Sequence, residues 1–95
     1  MASKKEFKKD INFLTYEIIA RGFIHLEFFG DRNAKEVYNI IGEAVAFRND
    51  YIARVNKRMN KNSAKEVKAH FRAIYDDIYK STHDLLERID NLDIA

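Results

Sequence analysis

The chain has 95 residues, 34% of them charged and 46% hydrophobic, with a formal net charge of +2, three Gly, no Pro and no Cys. That length makes a single domain, residues 1–95, with one modest core, and the composition is that of a helix-rich folded chain rather than a disordered or all-β one. Without Cys there are no disulfides, thiolate metal sites or Cys nucleophiles; apolar stretches such as Ile18–Ala20, broken by Arg21 and Gly22, fall far short of a membrane span, and with no charged-then-apolar leader a cytoplasmic protein is expected.

Three pentapeptides of one shape follow each other at thirty-residue intervals: "SKKEF" from Ser3, "NAKEV" from Asn33 and "SAKEV" from Ser63. Each sets a capping residue three positions before Glu and ahead of an apolar residue, the pattern of a capping box, in which two otherwise unpaired backbone N–H groups are satisfied reciprocally. "GDRN" and "NKNS" stand just before the second and third boxes as joints. The spacing predicts helices over 4–29, 34–59 and 64–91. The residues the copies share are those an amphipathic helix selects anyway, so the recurrence reads as common helix-start chemistry rather than duplication. Rods of about 26 residues, about 40 Å long at 1.5 Å per residue, joined by tight turns give an all-α, antiparallel up-down-up three-helix bundle.

The first helix is apolar on two sides. Ile11, Leu14, Ile18, Gly22, Leu26 and Phe29 cover one, while Phe13, Tyr16, Ala20, Phe23 and Ile24 cover much of the other. Two neighbours bury only one of these, and an exposed aromatic strip on a monomer is a binding surface. A homodimer built on Phe13, Tyr16, Ala20, Phe23 and Ile24 is expected, with Gly22 admitting a neighbouring backbone.

The second helix carries one stripe, Val37, Ile40, Ile41, Ala44, Val45, Ile52, Val55 and Met59, and the third another, Val67, Phe71, Ile74, Tyr75, Ile78, Leu85 and Ile89. Arg48 interrupts the stripe of the second helix at mid-height. Glu17 and Asp77 fall at the same level of their helices, so a buried polar layer of Arg48, Glu17 and Asp77 is expected, with Tyr16, Tyr51 and Tyr75 beside it.

Up-down-up order brings the start of the first helix, the end of the second and the start of the third to one pole. There Lys4, Lys5, Lys8, Lys9, Arg54, Lys57, Arg58, Lys61, Lys65 and Lys68 face only Glu6, Asp10 and Glu66, a local net charge of +7 in a chain of +2. Such a basic pole suits phosphate-rich or acidic partners. It lacks the Arg clusters and interleaved aromatics of nucleic-acid modules, so nucleic acid is a runner-up partner only.

Catalytic and metal signals are weak. His25, His70 and His83 lie on different helices or faces, the Glu-x-x-His pairs of di-iron bundles are missing, and no Gly-rich loop positions a nucleotide or nucleophile. No catalytic residue, metal site or cofactor is assigned, and an enzyme is not expected.

The segments "KKDINFLTYEIIARGF", "EAVAFRNDYIARVN" and "KAHFRAIYDDI" resemble those of a small all-helical family from anaerobic gut and oral bacteria with no assigned function. The resemblance spans most of the chain and implies a helical fold and no activity. Its most distinctive segment, "FRNDYIARVN", contains Arg48. The expected protein is a non-enzymatic, homodimeric interaction or scaffold module with an unidentified protein partner.

Overall fold

The computed structural model describes residues 4–57 and 63–92. Helix α1 runs over Lys4–Phe29, α2 over Ala34–Asn56 and α3 over Ala64–Asn91, in a rod measuring 51 × 19 × 18 Å. Among the described residues there is no strand. The fold is the all-α three-helix bundle that the start signals predict.

The third box acts as a helix cap. The Ser63 hydroxyl oxygen accepts from the Glu66 backbone N–H at 3.2 Å and so opens α3. Ser3 lies outside the described residues. At Asn33 the side chain caps nothing; its amide donates to the Leu92 carbonyl at 2.6 Å, spending the group on the end of α3. The joint before it is a turn of 3-10 helix, Gly30–Asn33, which carries the chain from α1 to α2. Gly30 takes φ +60°, the left-handed conformation that a residue without Cβ adopts cheaply. Helix α2 stops at Asn56, not at residue 59, because Lys57 turns to ψ 130°, out of the helical region; Met59 lies outside the described residues.

The core forms two clusters along the rod. Ile11, Tyr51, Val55, Ile74 and Ile78 pack near the pole where α1 begins, with Phe7, Leu14, Ile52 and Phe71 against them. Ile18, Ile40, Ala44, Leu85 and Ile89 pack toward the other pole, with Leu86 and Leu92. Each fully buried Val, Leu or Ile contributes about 1.5–3 kcal/mol of transfer free energy. Three stripe assignments change: Val45, Tyr75 and Phe29 are exposed, whereas Tyr51, Thr15 and His25 are buried.

Gly22 is buried inside the bundle, against α2. A Cβ there would lie 2.9 Å from Ile41 Cδ1 and 3.2 Å from Val37 Cγ1, so the close approach that explains this glycine comes from side chains of the same chain. A Cβ on Gly42 would meet nothing within 4 Å. Gly42→Ala is expected to raise the unfolding free energy by about 1 kcal/mol through helix propensity. Gly22→Ala gains the same propensity but must displace Ile41 and Val37, so urea unfolding of the two variants is expected to show Gly22→Ala the less stable.

Candidate functional site

Packing against two neighbours consumes one side of α1. Ile11, Thr15, Ile18, Gly22 and His25 face inward and are buried. The opposite side carries Phe13, Tyr16, Phe23 and Ile24, exposed by 61%, 67%, 55% and 53%, with exposed Ala20 among them. All five residues expected at a dimer interface therefore share one solvent-facing surface of a single helix. Large apolar side chains this exposed along one helix face make this strip the candidate site.

Phe13 also borders a groove of about 240 Å³ between α1 and α3, walled by Phe7, Leu14 and Ile78 and rimmed by Asp10, Tyr75 and Tyr79. The Tyr75 hydroxyl donates to that of Tyr79 at 3.0 Å, their rings edge to face with centroids 4.8 Å apart. That hydrogen bond, followed by lesser effects that include the carboxylates of Asp10 and Asp76, holds the Tyr75 phenol above its ordinary range. The tyrosine pair is not among the sequence-based expectations, although its i,i+4 spacing on one helix face is the available signal.

A polar layer exists at mid-height, with different members from those expected. Arg48 Nε donates to Asn12 Oδ1 at 2.6 Å, and its Nη1 to Asn49 Oδ1 at 2.9 Å. Glu17 is exposed: it lies five residues beyond Asn12, about 140° round α1 and away from α2. Asp77 pairs with Arg54 at 3.0 Å, and Arg54 lies over the Tyr51 ring. The layer's inner part is made by Tyr51, whose hydroxyl is 2.6 Å from Ser81 Oγ and donates to the Asp77 carbonyl at 3.2 Å. Tyr16 and Tyr75 stay outside it. The adjoining cavity, about 20 Å³, has room for a water molecule but not a substrate.

At the pole where α1 begins, Phe7 of α1 meets Phe71 of α3 at 5.8 Å, and His70 Nε2 of α3 donates to the Arg54 carbonyl of α2 at 2.9 Å, so the three helix ends converge. Lys4, Lys5, Lys9, Lys57, Lys65 and Lys68 are exposed there; Lys8 is half-buried, and Arg54 is engaged by Asp77. Arg58 and Lys61 lie outside the described residues. Ion pairs elsewhere tie α3 to its neighbours: Arg21 with Asp90 at 3.1 Å, and Arg88 with Glu43 at 2.8 Å. Glu43, by accepting that hydrogen bond, raises the guanidinium pKa of Arg88.

His25 belongs to the core rather than the surface, and it continues the seven-residue spacing Ile11, Ile18, His25 of the buried stripe. It is 6% exposed, neither ring nitrogen has a hydrogen-bond partner among the described residues, and its ring packs on Phe29 at 4.6 Å. The open cleft beside it, lined by Arg21, Ile24, Phe28, Phe29, Ile89 and Asp90, spans about 450 Å³. His83 pairs with Glu87 at 3.4 Å on the surface of α3. Among the described residues no three His, Cys, Asp or Glu side chains gather as a metal site, and no helix there is long and apolar enough to cross a membrane.

No family model, no curated protein and no solved structure matches this chain. For the buried imidazole, His25→Leu is expected to raise stability by about 1–3 kcal/mol, since it removes polar atoms that the interior leaves unpaired. Urea denaturation at neutral pH checks this; a loss of stability would mean that the ring has a partner in solution.

Proposed function

We propose that the chain is a cytoplasmic, non-enzymatic interaction module that self-associates as a homodimer through the outer face of α1. The observation that carries the reading is the strip Phe13, Tyr16, Phe23 and Ile24, each more than half exposed on a helix whose inner side is already occupied by α2 and α3. Covering such side chains recovers about 25 cal/mol for each Å² removed from water. A second helix laid along the strip covers all of them together. Light scattering is expected to give twice the chain mass for the native protein and the chain mass for Phe23→Glu, with the helical circular dichroism of the two unchanged. A native monomer at micromolar concentration would overturn the reading.

The converged basic pole supports a second reading, in which acidic or phosphate-bearing partners, nucleic acid among them, dock on Lys4, Lys5, Lys9, Lys57, Lys65 and Lys68. Affinity for a nonspecific oligonucleotide is then expected to fall about a hundredfold between 50 and 200 mM salt if about four phosphates are contacted. The double variant Lys57→Glu/Lys65→Glu is expected to lose that binding. Binding unaffected by salt and by the charge reversals would remove the pole from consideration.

A further inference from the structure

Along the solvent side of α1, Lys9, Phe13, Tyr16, Ala20, Phe23 and Glu27 follow one another at intervals of 4, 3, 4, 3 and 4 residues. That is a heptad seam, the spacing by which one helix meets another along its length. All six are exposed, so the seam is a second one, separate from the buried stripe that faces α2 and α3. It is apolar in the middle, with one cation at one end and one anion at the other.

We infer that a second copy of this chain lies antiparallel on this seam, related by a two-fold axis at the level of Ile18. This rests on the self-association proposed above and specifies its orientation and register. Under that axis Lys9 faces Glu27 of the second copy, Phe13 faces its Phe23, and Tyr16 faces its Ala20. Every pairing is complementary: cation with anion, ring with ring, large with small. A two-fold contact is isologous, so each pairing occurs twice. The parallel alternative sets each residue against itself, stacking Lys9 on Lys9 and Glu27 on Glu27 and leaving a bulge at Tyr16 and a gap at Ala20.

The charge of the whole rod favours the same arrangement. Residues 4–10, 54–57 and 63–68, around the pole where α1 begins, hold eight basic side chains and three acidic ones, whereas residues 21–43 and 82–92, around the other pole, hold four basic and seven acidic. Antiparallel copies set the basic pole of one beside the acidic pole of the other; parallel copies set two basic poles side by side, which like-charge repulsion opposes. The dipoles of the two α1 helices also oppose each other only in the antiparallel pair.

Cysteine cross-linking reads the orientation directly, because the chain has no Cys of its own. Lys9 and Glu27 are exposed, about 27 Å apart along α1, and either can be replaced without touching the apolar centre. Lys9→Cys and Glu27→Cys chains, mixed, re-equilibrated and oxidised with glutathione disulfide, are expected to give a covalent dimer in the mixture and none in either variant alone. In parallel, Lys9→Glu is expected to raise the dimer Kd about tenfold, and Lys9→Glu/Glu27→Lys to restore it. Cross-linking of each variant with itself would show a parallel dimer and overturn this inference while leaving self-association standing. A dimer that cross-links in no combination would place the interface elsewhere and overturn it as well; a native monomer would overturn both.

Discussion

The bundle turns on the approach of α2 to α1 at Gly22. With no side chain there, Ile41 and Val37 press within van der Waals distance of the α1 backbone, and Val37 is sealed from solvent. Once that contact fixes the first two helices, α3 is held against both by Ile74 and Ile78 at one level and Leu85 and Ile89 at another. Arg21 with Asp90 and Arg88 with Glu43 add ion pairs at the margins. These partly exposed pairs contribute little stability individually, and their value is in setting the rotation of α3. The inner side of α1 is consumed by this packing, which is why its aromatic outer side is left to solvent.

Between the two apolar clusters, Tyr51, Ser81 and Arg48 form a hydrogen-bonded polar level. The hydroxyl pair of Tyr51 and Ser81 gives α2 and α3 a specific height relative to each other that purely apolar packing would leave to side-chain shape alone. Arg48 performs the same service between α2 and α1 through Asn12.

The helix limits of α1 and α3 could be read from the chain because local chemistry decides them: Ser63 caps, and Gly30 stops α1 in the conformation that only glycine takes at low cost. Asn33 carries the same capping signature as Ser63, yet its amide is claimed by Leu92, a residue far along the chain, and no local pattern announces that. Arg48 shows the same limit. Its need for a partner was legible, but the choice of Asn12 over Glu17 depends on the rotation of α1, which the Gly22 contact sets. The exposure of the outer strip of α1 was legible, since an excess of apolar positions over what two neighbours can cover is a property of the helical wheel. His25 stands in the seven-residue spacing of the buried stripe, but a histidine there carries no mark of whether its nitrogens find partners.

An odd number of antiparallel helices has a consequence for how the chain joins to anything else. Lys4 starts at one pole and Leu92 finishes at the other, so the two ends of the described fold are separated by nearly the whole 51 Å rod. A domain fused before α1 and another after α3 would be held apart as by a strut. Joining the ends of a circular permutant would take a linker of about 15 extended residues laid along the bundle. A hairpin of two or four helices brings its ends together; this rod instead separates whatever is attached to it.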